Sequence, residues 1–518
     1  MNHKTQIAFI LKPAFILKPK AWLIILAICA MTPVAMSVSS KEAFSCPNGT
    51  RATAAACVMD ADMVLGESLE LTSFTKLDCR GHRILPSVAG SGMTEASYVP
   101  SVPVLAVAIT GERGVVVRNC TIGADGARFD FGVIALNSKD AGESGHRIHN
   151  NEIHARDVAI TLLRVDDARI NDNVITWTNG FGISYLRDSD RNRVNNNVMS
   201  SPGSPPAPMR LLPGGAFGSV NDLDVAISVA SFPVQPLFNL VIGGKLYQFP
   251  NSQDGHYPAN EDNLIEGNYL SLPGSSAGKG HGGIYVATNA MSSRVIGNTI
   301  TEAGVGIRLA GLMPAQVVTR PSRCSADPAR FCVTDVDCFI PHVDAAPVGI
   351  CPLPIAEVRD LRARDTIVEG NTFTGPFNSA AVAMRTAIFA GNGTVGGVIR
   401  GNRIYGTGTE AGITLTGASL QSGLVTENIV QGAAFGLQLQ QGPATSFGAQ
   451  VFRNDTTGNT TRAISVLGLY TLLTELSWNG VGNYWGHSTP PCFRPADSPI
   501  PLLIQDSYPL CAPVLALE

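Results

Sequence analysis

The sequence predicts an all-β chain wound as a single parallel β-helix, a solenoid with a cap at each end and two long loop insertions. Three observations predict it. A phrase with Asn third after an aliphatic residue recurs along the chain. A short segment of alternating apolar and small or polar residues precedes most copies. Helical periodicity of useful length is missing, while Asn, Asp and Gly crowd the stretches between, as turns require.

The phrase reads VRNCTI at 117, IHNNEI at 148, INDNVI at 170, VNNNVM at 194, IEGNYL at 265, VIGNTI at 295, VEGNTF at 368, IRGNRI at 399, VTENIV at 425 and VFRNDT at 451. Its fourth position is Cys120 and then Asn151, Asn173, Asn197, Asn268, Asn298, Asn371, Asn402, Asn428 and Asn454. Most steps are 22 to 31 residues, with 71 before Asn268 and 73 before Asn371. A unit this short buries its apolar face only against its neighbours. The alternating segments are AVAIT at 106, AITLL at 159, GISYL at 182, AISVA at 226, GIYVA at 283, GIRLA at 306, GITLT at 412 and GLQLQ at 436. Period two is a strand signal, with aliphatics on one face and the intervening residue on the other. Each unit is therefore a strand, a turn, a second short strand and the Asn, then a corner. Coils stacked at about 4.8 Å bring the Asn side chains into one inward column, where amides bond coil to coil.

These phrases resemble the right-handed parallel β-helix repeats of pectin-lyase-like proteins, over roughly residues 70–485. The late GNYWG at 482–486 resembles the C-terminal end of periplasmic repeat proteins that help mature nitrous-oxide reductase. The resemblance implies a right-handed winding. It does not select a function, because one such fold hosts lyases, hydrolases, epimerases and binding proteins.

The N-terminus reads as a secretory signal over 1–37. Lys4, Lys12, Lys18 and Lys20 precede the apolar run AWLIILAICAM at 21–31, and Ala35-x-Ser37 suits cleavage. Eleven apolar residues fall short of the ~20 that span a bilayer, so no stable membrane insertion is expected. Removal of those lysines with the leader takes the formal charge from −4 to −8. A mildly acidic exported chain argues against a nucleic-acid partner, which favours a basic footprint. The expected location is periplasmic or extracellular, and the expected state a monomer.

Ten cysteines remain beyond Cys29, an even number that suits disulfides in an oxidising compartment. Cys46 with Cys57 and Cys492 with Cys511 would staple the ends, and Cys79 would pair with Cys120. Cys324, Cys332, Cys338 and Cys351 should form two bonds within 311–365 rather than a zinc knuckle, since no Cys-x-x-Cys pair is present. Residues 38–90 read as an N-terminal cap and first coil, 91–485 as the β-helix, with Trp478, Tyr484 and Trp485 covering its last coil, and 486–518 as a C-terminal cap and tail. Caps protect strand edges that would otherwise template aggregation.

The outward residue of each alternating strand should stack into a column: Thr161, Ser184, Ser228, Tyr285, Arg308, Ala383, Thr414 and Gln438. Tyr285 and Arg308 stand out as two large groups on consecutive coils. Insertions at 231–262 and 311–365 leave one corner beside them, and shorter ones at 199–221 and 269–282 leave the opposite corner. A trough walled by loops on both sides suits a linear polymer. β-Elimination on an acidic polysaccharide needs a cation against the sugar carboxylate, a base and an acid. Arg308 or Lys279 fits the first role, and His281 or Tyr285 the others. Tyr285, Arg308, Ser228, Asp254 and His256 are the expected substrate contacts. A lyase- or epimerase-like activity is therefore one reading, and a non-catalytic carbohydrate-binding or surface protein the other. A hydrolase would want two carboxylates at a set distance, but Asp188, Asp190, Asp222 and Asp224 sit in turn-like stretches. His146, His149 and His154 suggest a metal cluster, but His149 and His154 lie by repeat position on opposite sides of a turn, outside the core, against it. No cofactor is expected, and no motif supports calcium.

Overall fold

The computed structural model describes residues 46–513, apart from 88–104, 139–143, 179, 202–222, 231–236, 243–244, 251–256, 274–279, 312–315, 340–343, 345, 378–384, 392, 417–418, 441–448, 468–473, 478, 486–489 and 493–503. The chain winds as a right-handed parallel β-helix. No α-helix occurs among the described residues, and no helix there is long and apolar enough to cross a membrane. The leader read over 1–37 and Trp478 lie outside the described residues.

The short strands ahead of each Asn pair in register into a thirteen-stranded sheet. Its middle residues are Val117, Ile148, Ile170, Val194, Ile265, Val295, Val368, Ile399, Val425 and Val451, all buried one above another. The strands after each Asn and the long alternating strands form a twenty-two-stranded sheet, joined because Glu152–Leu163 runs unbroken through both parts. The first strand, Arg51–Ala52, pairs antiparallel with Cys57–Val58 and closes the N-terminal edge.

The Asn column is continuous. Each Asn Nδ2 donates to the Oδ1 of the next Asn at 2.8–3.0 Å, from Asn151 through Asn454. The same Oδ1 accepts the preceding backbone N–H, as Asn298 does for Asn268 at 2.9 Å. The residue before each column position has positive φ: Asn119, Asn150, Asp172, Asn196, Gly267, Gly297, Gly370, Gly401, Glu427 and Arg453. That left-handed step explains why the preceding position is so often Asn, Asp or Gly, the residues that tolerate it best. The column runs further than the sequence reading. Asn454 donates to Asn483 at 2.8 Å, and the Asn483 N–H donates to Asp506 at 2.7 Å. The Trp485 indole also donates to Asp506, at 2.9 Å. GNYWG is thus a further coil as well as a lid.

The disulfides are Cys46–Cys57, Cys79–Cys120, Cys324–Cys338, Cys332–Cys351 and Cys492–Cys511. Cys120 replaces the first Asn and ties two coils covalently instead. The 311–365 insertion carries more structure than its sequence suggests. Gln316–Arg320 pairs antiparallel with Ile355–Arg359, and Ser322–Cys324 with Asp327–Cys332. In the 231–262 insertion, Leu237–Ile242 pairs antiparallel with Lys245–Pro250. The two insertions meet. The Gln248 amide donates to Phe331 O and accepts from Phe331 N, both at 2.8 Å.

Candidate functional site

The alternating strands begin with a column of Gly or Ala that lets neighbouring backbones approach. At Gly306 an added Cβ would lie 2.5 Å from the Ala387 carbonyl and 2.7 Å from the Phe373 ring. This close stacking fixes the register of the residue two positions on. Gly280–Val286 and Val305–Leu309 pair so that Tyr285 stands opposite Arg308, with Ser228 before and Phe389 after. The column continues through Thr414 to Gln438. Ala383, read from sequence as the member after Arg308, is not in it. The strand begins later, at Thr386, and supplies Phe389. Residues 378–384 themselves lie outside the described set.

The outward face is largely covered. Ala108, Ile134, Thr161, Ser184, Ser228, Phe389, Thr414 and Gln438 are all buried. Between Ala108 and Gln438, Tyr285 and Arg308 alone keep partial exposure. The trough is thus a window two coils wide. Ser228 is wholly buried, so a glycan would reach it only by displacing what covers it.

Aromatic rings bracket Arg308. Its guanidinium carbon lies 5.2 Å from the Tyr285 ring centroid and 5.9 Å from that of Phe389. Its Nε is buried without a hydrogen-bond partner. No described carboxylate lies within ion-pair distance of it, unlike Arg400, which meets Glu369 at 2.8 Å. A donor buried without an acceptor costs about 1–3 kcal/mol. The flanking rings contribute cation–π attraction of about 0.5–2 kcal/mol.

His281 lies on the Tyr285 strand, with its backbone opposite Asp224. Its side chain falls outside the described set, as do Lys279, Asp254, His256 and Asp222. On the 231–262 insertion, Tyr257 lies under Arg359 at 5.3 Å, and burial followed by the Glu357 charge raises its phenol pKa. Asp190 accepts the Glu261 N–H at 2.8 Å, and Asp188 lies 4.0 Å from Arg164, both in turn structure. The three histidines stand apart. His146 is buried beside Ser138, His149 faces out from the thirteen-stranded sheet, and His154 bonds Glu152 and Thr176. The cluster Cys324, Cys332 and Cys338 is close enough for a metal, but all three sulfurs are in disulfides.

No family model matches the chain, and no curated protein matches it. Solved structures do. A Dettilon tailspike protein shares 14% identity over 79% of this chain and 61% of its own, with a TM-score of 0.40. The tailspike of E. coli bacteriophage HK620, solved with a pentasaccharide, shares 13% identity over 81% of this chain and 62% of its own, with a TM-score of 0.36. PfbA, a surface adhesin of Streptococcus pneumoniae, shares 10% identity over 79% of this chain and 82% of its own, with a TM-score of 0.33. This chain spans about three fifths of either tailspike. Likenesses this distant are in fold alone.

Proposed function

We propose that this is an exported, monomeric β-helix protein of the pectin-lyase-like type that binds an acidic polysaccharide through the Tyr285–Arg308 window. The observation that carries the reading is Arg308 itself, a half-buried cation set between two rings with its Nε unpartnered. A uronate carboxylate pairs with the part of the guanidinium that reaches solvent, while Tyr285 offers a ring face for the sugar. Five disulfides support an oxidising compartment. Binding is the core of the proposal. Processing by β-elimination or epimerisation is its extension, with Arg308 neutralising the carboxylate and His281, Lys279 or Tyr285 moving protons.

The test is calorimetric titration with oligouronides, run beside an assay for new unsaturated uronyl absorbance. Arg308→Ala should weaken binding about 10- to 100-fold, the loss of one charge-assisted bidentate contact. Tyr285→Ala should also weaken it, and Arg400→Ala should not. Absorbance that appears with the wild type and falls with Arg308→Ala supports processing as well. Unchanged affinity in both window variants rejects the proposal.

A further inference from the structure

The opposite side of the solenoid carries a second feature, on the outward face of the thirteen-stranded sheet. The register stacks Arg147, Arg169 and Arg193 on three successive coils, then Leu264, then Arg294. All four arginines are exposed. None makes a salt bridge or side-chain hydrogen bond with a described residue. Elsewhere on or beside this sheet an outward arginine meets an acid one coil away: Arg118 with Asp78 at 2.9 Å, Arg400 with Glu369 at 2.8 Å, and Arg453 with Glu427 at 3.2 Å. Like charges directly opposite in a sheet are destabilising. Four unpaired cations in one line on a chain of net charge −4 therefore work against the fold, and a local rule broken without a compensating contact points to function.

The stripe lies along a concavity. A cleft of about 400 Å³ has Arg169, Arg193, Leu264 and Arg294 on its floor. Its edge is the preceding turn, with Asp167, Arg191, Asp262 and Ser292. Arg191 is already neutralised by Asp166 at 3.1 Å and Asp167 at 2.8 Å, so the free positive charge is on the floor, with the exposed Asp262 an opposing charge at the edge. On the Leu264 coil the flanking residues are Asp262 and Glu266. That coil offers an apolar step and no cation.

We propose that this stripe is a second binding surface, for a linear anionic polysaccharide lying parallel to the solenoid axis. Cations repeat at the coil spacing of about 4.8 Å, close to the advance of a pyranose along an extended chain. A single-file stripe suits a polymer better than a membrane, which would engage a broad face. Leu264 takes the apolar face of one sugar between the Arg193 and Arg294 contacts. The inference does not rest on the window, which lies on another sheet.

The test uses polygalacturonate fragments and the full chain in the Arg308→Ala background, so that the window is silent. Arg169→Gln/Arg193→Gln should bind at least tenfold more weakly, and its log–log salt dependence should become shallower by roughly one per arginine removed. Both positions are exposed, so the variant should fold, with a melting temperature equal to or above that of its parent. Arg169→Lys/Arg193→Lys should keep most of the salt dependence. Affinity and salt slope unchanged in the Gln variant overturn the proposal. So does a variant that loses binding to anionic phospholipid vesicles or to DNA while keeping its polygalacturonate affinity. Failure of the window would show instead as Arg308→Ala binding like the wild type, which leaves this comparison intact.

Discussion

Arg308 and His146 are two basic side chains that the fold places differently, one part-exposed and the other buried. Arg308 stands between two rings with part of its side chain reaching solvent. Arg308→Lys should bind oligouronide less tightly than wild type but better than Arg308→Ala, since the charge survives while the fork and the stacking are lost. His146 is held neutral. It accepts the Val115 N–H at 3.3 Å on Nδ1 and bonds Ser138 Oγ at 2.7 Å through Nε2, and burial lowers its pKa from 6.5 to about 4. The unfolded chain therefore takes up this proton first as pH falls. The stability that His146 contributes is full above pH 6.5 and is lost as pH falls through about 4. The span corresponds to about 3 kcal/mol. Thermal melts of wild type and His146→Gln at pH 7 and pH 4 check it: the variant should lose less on acidification. Both residues were visible in the sequence, but only Arg308 was legible as special, because its outward position follows from strand alternation. The burial of Ser228, and Phe389 in place of Ala383, were not legible. They depend on where a loop ends and on what covers the face.

Among elements, the Asn column was the most legible, since its period repeats in the sequence with little variation. Its end was not. Asn483 sits among aromatics and reads as a lid, although its side chain carries the same bonds as its predecessors, to Val451 O at 3.1 Å and to Asp506. The arginine stripe escaped for a different reason. It is spread over short strands one residue before the buried aliphatic, and each arginine alone looks like ordinary surface. The ladder makes a sharp stability prediction. Asn298→Ala strips acceptors from the Asn268 N–H and Nδ2, both at 2.9 Å, and donors from Ile265 O and Asn371 Oδ1, both at 3.0 Å. Buried groups left unpaired cost about 1–3 kcal/mol each. Urea denaturation should show a loss of roughly 3 kcal/mol or more. Gly306→Val should be at least as severe, because its branch meets the backbone of the next coil.

At the scale of the molecule, the coil stack is a ruler on which two sheets present different chemistry. One offers a narrow aromatic and cationic window, the other an open row of arginines. The insertions at 231–262 and 311–365 lock together through Gln248 and Phe331. The second also carries two disulfides, Cys324–Cys338 and Cys332–Cys351. Reduction should loosen that insertion before the coils, whose order rests on stacked strands and amides. Limited proteolysis under reducing conditions should cut within 311–365 first. The most direct measurement of glycan binding at the window is hydrogen–deuterium exchange with and without saturating oligouronide. The expected result is slowed exchange in Gly280–Val286 and Val305–Leu309, lost in Arg308→Ala. Slowed exchange confined to other segments, with these two strands unchanged, would contradict it.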